Sequence, residues 1–180
     1  EFVLHFCPKI AVYTNLSPDH LDRHGTMDEY VNMKLKMVKN MGDDGHIVFN
    51  ADDPQLIMAL DGHDSKLAPF SMMRSGFIYS IDSKNINTLT GNPLLSVDDI
   101  ALPGKHNLSN MLGAATSSSL MGISDKHIAN VMKTFIGVEH RLENVAIIKD
   151  VTYINDSKAT NLDSVSVAIQ SFNKPVVLIL

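Results

Sequence analysis

The sequence predicts an α/β fold built in two successive parts. Short apolar runs at residues 10–16 and 47–50 are each followed by a polar turn and then a helical pattern. Helix-start signals recur, the clearest being Thr26-Met27-Asp28-Glu29, a Thr-x-x-Glu capping box. A composition shift near Gly137 divides a first part, residues 1–137, from a second, residues 138–180. Strand–helix alternation of this kind buries a sheet under helices.

Residues 10–16 (IAVYTNL) read as a buried strand after Pro8-Lys9. The polar stretch from Ser17 to Gly25 lies just past its carboxyl end, where open α/β sheets bind ligands. A helix is predicted from Met27 to about Met41, with Gly42 suited to the position after its end. Steps of about 100° put Met27, Tyr30, Val31, Val38 and Met41 on one apolar stripe. Lys34 falls in the middle of that stripe, Lys36 opposite and Lys39 on a flank. Ile47 to Asn50 forms a second strand, and Asn50-Ala51-Asp52-Asp53-Pro54 turns into a short helix. Residues 66–100 show β-like pieces (67–70, 77–81 and 94–97) of the kind found at a sheet edge. Residues 107–120 form a helix rich in small side chains, and Ser124 or Asp125 caps another reaching about Phe135. Residues 144–149 and 151–155 alternate like a hairpin turning near Asp150. Asn161 caps a helix over 162–172, and residues 175–180 read as a closing strand.

The chain has 180 residues, 44% of them hydrophobic, and a net charge of −5. A broad nucleic-acid footprint needs a basic face, so that class is disfavoured. No apolar run reaches the roughly 18–20 residues of a membrane span. No basic-then-apolar leader pattern opens the sequence. The single cysteine, Cys7, cannot form an internal disulfide, which fits a cytoplasmic setting. The sequence has no initiator Met and ends on Pro175-Val176-Val177-Leu178-Ile179-Leu180, so a piece of a longer protein is expected.

Four constellations carry chemistry. In the first, Asp19-His20-Leu21-Asp22-Arg23 precedes Lys34. A lysine centred on an apolar stripe must be paired, neutral or modified, because a lone buried charge is costly. A desolvated amine that reacts with CO2 becomes a carbamate able to bind a hard cation. The alternative is a polar loop and a snorkelling lysine. In the second, Gly104-Lys105-His106-Asn107 opens a helix, and Asn110 shares a face with Asn107. Asparagine amides can both donate to and accept from an adenine edge, although Asn107 could equally be a cap. In the third, Arg141 within His140-Arg141-Leu142-Glu143 offers a planar cationic fork for phosphate, or an ordinary surface ion pair. In the fourth, a strand delivers Asn155-Asp156-Ser157-Lys158-Ala159-Thr160-Asn161 to a helix N-terminus. Backbone N–H groups and the helix dipole favour anions there, and a plain capping turn is the alternative.

Together these segments resemble the Mur ligase family. The match rests on residues 15–24 (NLSPDHLDRH), the Asn50-Ala51-Asp52-Asp53 turn, Gly104-Lys105-His106-Asn107, His140-Arg141-Leu142-Glu143 and residues 154–161 (INDSKATN). Order and spacing agree over nearly the whole chain, residues 71–100 being the weakest part. The resemblance implies the later part of a central ATPase domain followed by the start of a Rossmann-like C-terminal domain. It implies an ADP-forming amide ligase of peptidoglycan biosynthesis, using ATP and Mg2+. Within the family, the last motif points to joining D-glutamate to UDP-N-acetylmuramoyl-L-alanine through an acyl phosphate. Carried over by motif, His20 touches magnesium and substrate, and Lys34, as a carbamate, holds magnesium. Asn110 reads adenine with Asn107 beside it. Arg141 and Asp156 hold ATP phosphate and ribose. Lys158 acts at the reacting carboxylate, and Thr160 and Ser157 face the substrates. The resemblance further implies a cytoplasmic, monomeric parent. The family's Gly-Lys-Thr/Ser phosphate loop does not occur in these residues, so the chain alone is expected to be inactive. The alternatives are a folate polyglutamate ligase of the same architecture and a non-catalytic nucleotide-binding module.

Overall fold

The structure, a computed structural model, describes residues 4–18, 21–63, 65–102 and 104–179, with Leu21 and Asp163 described by backbone only. Two compact units emerge, residues 1–133 and 134–180.

The first unit is organised on three parallel strands, β1 (Ile10–Tyr13), β2 (His46–Asn50) and β3 (Lys66–Phe70), in the order β1-β2-β3. The middle strand is buried on both faces, as central parallel strands are. Ile47 and Val48 are fully inaccessible, and alternation sends them to different cores. Val48 joins Ala68, Phe70, Met111, Leu112 and Ala115 on the face covered by α4 (Lys105–Leu120). Ile47 and Phe49 join Tyr13, Tyr30, Leu56 and Leu60 on the other, beneath α2 (Met27–Leu35) and α3 (Pro54–Leu60). Each such aliphatic burial contributes about 1.5–3 kcal/mol. A four-residue helix α1 (Leu21–His24) precedes α2.

Several boundaries differ from those the sequence suggests. The first strand stops at Tyr13, and the chain continues to Leu16 without pairing. The capping box at Thr26 and Glu29 forms, but α2 ends at Leu35, followed by a 3-10 turn at Lys36–Val38. The Lys34 carbonyl accepts the Tyr13 hydroxyl at 3.0 Å just where the helix tightens. Gly42 therefore does not close an α-helix; its carbonyl accepts the Gly45 N–H instead. Residues 79–96 are not an edge of the parallel sheet. They form a separate antiparallel sheet of β4 (Tyr79–Ile81), β5 (Asn85–Thr88) and β6 (Pro93–Ser96). The middle strand escapes detection because Ile86 is its one apolar residue. The helix α4 begins at Lys105, two residues before Asn107, and α5 spans Asp125–Thr134.

The second unit holds a hairpin of β7 (Glu143–Ile148) and β8 (Val151–Asn155), turning at Lys149 and Asp150. Both turn residues have positive φ, 48° and 62°, as a two-residue hairpin turn with the strands' twist requires. Then comes α6 (Leu162–Gln170), capped by Asn161 as expected and shorter than residues 162–172. Residues 175–179 are exposed and unpaired, so the predicted closing strand is absent among the described residues. An apolar run becomes a strand only beside a hydrogen-bonding neighbour, and β7 and β8 pair with each other. Among the described residues this unit has no buried hydrophobic side chain.

Two positions in α4 test its packing on the sheet. A Cβ at Gly113 would lie 2.9 Å from Cε1 of Phe70, a fully buried ring, so the glycine permits the close approach of helix and strand. Gly113→Val is expected to lower unfolding stability by about 1–3 kcal/mol. Thr116 is fully buried, and its hydroxyl has no hydrogen-bond partner among the described residues. Thr116→Val, which keeps the shape, is expected to raise stability by roughly 1 kcal/mol. Denaturant melts of both variants check the opposite signs.

Candidate functional site

The carboxyl ends of the parallel strands are tied by a turn whose sequence, Asn50-Ala51-Asp52-Asp53, is dense in acceptors. Asn50 Oδ1 accepts the Asp52 N–H at 3.0 Å, closing the turn on itself. Asp53 Oδ1 caps α3 by accepting from Gln55 N (2.9 Å) and Leu56 N (3.3 Å). Its Oδ2 accepts the Leu16 N–H at 2.7 Å. Asp52 Oδ1 accepts the Ser71 hydroxyl at 2.5 Å, and Oδ2 accepts the Met72 N–H at 2.7 Å. Sequence reasoning recognised the turn but gave these acids no role; the doublet before Pro54 was the available signal.

Asp19 and His20 lie outside the described residues, so the metal and substrate role expected of His20 is not placed. Lys34 is placed, and not as its periodicity predicted. Its side chain is exposed, as are Lys36 and Lys39. The ammonium sits 5.1 Å from the centroid of the buried Tyr30 ring, and His24 meets the same ring edge-on at 5.6 Å. The expected desolvation is thus corrected: the aliphatic stem crosses the apolar stripe and carries the charge out to water. Among the described residues no cluster of three or more His, Cys, Asp or Glu could hold a metal. The described side chains therefore do not by themselves compose a magnesium site.

At the start of α4, Gly104 adopts φ 108°, and a Cβ there would crowd His106 Cε1 at 3.1 Å. Asn107 sits within the first helical turn, where it is not the cap, and is buried at 9% exposure. Asn110, one turn on, is exposed. Only Asn110 thus presents its amide to solvent, as reading a nucleobase edge requires.

In the second unit the third and fourth constellations come together. His140 and Leu142 have left-handed backbones, φ 66° and 47°, which cost on the order of 1–3 kcal/mol each. Hydrogen bonds hold them there. His140 N–H donates to Glu143 Oε2 at 2.9 Å, and Leu142 N–H donates to Asp156 Oδ1 at 3.1 Å. The His140 carbonyl accepts the Lys158 N–H at 3.1 Å. The Asn155 amide donates to Glu143 Oε2 at 3.2 Å, lies 2.9 Å from His140 Nδ1, and its oxygen accepts from Ser157 N at 3.1 Å. This clasp leaves Arg141, Ser157, Lys158 and Thr160 exposed. Asp156 spends one carboxylate oxygen on the loop. Glu143 and Asn155, given no role from sequence, build the clasp.

The sequence matches the family model described as Mur ligase middle domain over residues 3–118. A UDP-N-acetylmuramoylalanine--D-glutamate ligase of Halalkalibacterium halodurans is 39% identical over 97% of the chain, which spans 39% of that relative. A protein of the same name from Thermoanaerobacter is 40% identical over 99% of the chain and 40% of its own length. The chain thus spans about two fifths of the curated relatives it matches. Among solved structures, MurF of Acinetobacter baumannii superposes with a TM-score of 0.76 over 91% of the chain and 37% of its own, at 19% identity. UDP-N-acetylmuramate-alanine ligase MurC of Thermotoga maritima gives 0.68 over 92% and 38%, at 21% identity. At those identities the likeness establishes the fold.

Burial raises the Tyr13 phenol from 10.0 to about 12, and its hydroxyl donates to Lys34 O. A folded pKa above the unfolded one stabilises fully below pH 10 and is lost as pH rises through 12. Unfolding stability is expected to fall between pH 10 and 12, less steeply in Tyr13→Phe, as checked by denaturant titration across that window.

Proposed function

From the chain's membership of the Mur ligase family, we propose that it is part of an ATP-dependent ligase joining D-glutamate to UDP-N-acetylmuramoyl-L-alanine in peptidoglycan synthesis. The observation that carries the reading is the near end-to-end match, at 39–40% identity, to relatives bearing that ligase's name. The first unit is then the later part of the central ATP-binding domain, and the second the opening of the C-terminal ligase domain. No helix among the described residues is long and apolar enough to cross a membrane. The proposed ligase is cytoplasmic and monomeric, as the family resemblance implies.

A free carboxylate is a poor electrophile, and ATP supplies the phosphoryl group that activates it. Asn110 orients the adenine through its exposed amide, beside the buried Asn107. Arg141 places a fixed positive fork against phosphate oxygens, where a planar guanidinium suits two acceptors at once. Asp156 offers the ribose the carboxylate oxygen not bonded to Leu142. The Lys158 ammonium neutralises charge at the reacting carboxylate, while Ser157 and Thr160 supply hydroxyls to the substrates. The two left-handed residues and the Asn155 bonds fix the loop that presents these groups, so orientation is set before substrate arrives. Magnesium would be held by His20 and by Lys34 as a carbamate, and would neutralise charge on the phosphate oxygens of ATP. The Lys34 side chain is exposed, so CO2 can reach its nitrogen once the ammonium has given up a proton.

The test is D-glutamate-dependent phosphate release by the full-length protein carrying this chain. Lys158→Ala is expected to lower turnover by roughly 10²-fold, as loss of one charge-stabilising donor does. Asn110→Ala is expected to raise KM for ATP with a smaller effect on KM for D-glutamate. Wild-type rates in both variants overturn the assignments, and phosphate release that ignores D-glutamate overturns the reading itself.

A further inference from the structure

Asp52 and Asp53 belong to none of the groups that carry the proposed chemistry, yet their carboxylates reach the exits of all three parallel strands. Leu16, three residues past β1, gives its N–H to Asp53, and Met72, two past β3, gives its N–H to Asp52. The turn itself leaves β2. Each of these two bonds is 2.7 Å and made to a carboxylate, the strong class of backbone bond. The fully buried Ser71 extends the brace: its hydroxyl donates to Asp52 and accepts from Met73 N and Arg74 N, both at 2.9 Å. Loop amides past a sheet edge have lost their ladder partners, and water ordinarily takes them. Here they are drawn to one point at the end of the sheet where α/β folds bind ligands.

We propose that Asp52 and Asp53 are positioning residues that hold the strand-end loops of the nucleotide and substrate site in register. They act through the backbone of Leu16 and Met72, not by touching substrate. The activity part of this proposal rests on the ligase reading. The division of labour within Asp53 makes it separable from helix stability. Asn caps a helix as well as Asp does, so Asp53→Asn keeps the bonds to Gln55 and Leu56. Its amide nitrogen then faces the Leu16 N–H, donor against donor.

The experiment compares the full-length protein with its Asp53→Asn variant by amide hydrogen exchange and steady-state kinetics. Exchange at Leu16 is expected to rise about tenfold, with Gln55 and Leu56 unchanged, as loss of one hydrogen bond without loss of the cap requires. Turnover is expected to fall about 10- to 100-fold with KM for D-glutamate unchanged, the signature of displaced rather than deleted contacts. Asp52→Asn is expected to act likewise at Met72. Wild-type exchange at Leu16 overturns the brace, and faster exchange with wild-type turnover overturns its positioning role. If Asp53→Asn does not fold, Asp53→Ser, which caps with a single oxygen, takes its place with the same criteria. If the wild type shows no D-glutamate-dependent reaction, the ligase reading fails while the exchange comparison still decides the brace.

Discussion

Three parallel strands that stop within one residue of each other leave loop amides without ladder partners, and the first unit depends on two adjacent carboxylates to collect them. Asp53 divides its oxygens between the start of α3 and the exit of β1. Asp52 takes the exit of β3. Because both acids sit on the turn leaving β2, the central strand fixes its neighbours' loops as well as their hydrogen-bonded ladders. The ladder alone sets register along the strands, whereas the side chains set where each strand's chain goes next.

The second unit solves a similar problem with less apolar burial. Its described residues include no buried hydrophobic side chain, and a network of hydrogen bonds ties its loops together. Two residues in left-handed conformations are stabilised by side chains from β7 and from the loop after β8. Strain of this kind persists where surrounding bonds over-determine the backbone, and here it presents Arg141 and Lys158 from a fixed frame. Asn155 is central to that frame, serving His140, Glu143 and Ser157 at once.

Tyr30 and Lys34 illustrate how a helical stripe can mislead. The periodicity placing Lys34 among Met27, Tyr30 and Val31 is sound, and the ring it crosses is buried. The side chain is nonetheless long enough to leave the stripe, so a lysine at a core-facing position is not a buried lysine. The Lys34 carbonyl, meanwhile, is bound by the Tyr13 hydroxyl from a strand twenty-one positions earlier.

The sequence by itself determined the α/β class, the capping box at Thr26, the helix cap at Asn161, the hairpin near Asp150, and the family. These follow from signals confined to a few neighbouring residues, or from ordered motifs that survive at modest identity. It did not determine where α2 stops, that residues 79–96 form their own sheet, that Lys34 is exposed, or that residues 175–179 stay unpaired. Those outcomes turn on partners distant in the chain: a tyrosine hydroxyl reaching a carbonyl, a polar strand recruited between two others, a strand with no neighbour. Hydrogen bonds and burial across such separations depend on distances in space. Local periodicity carries no record of them, so only the tertiary structure could decide them.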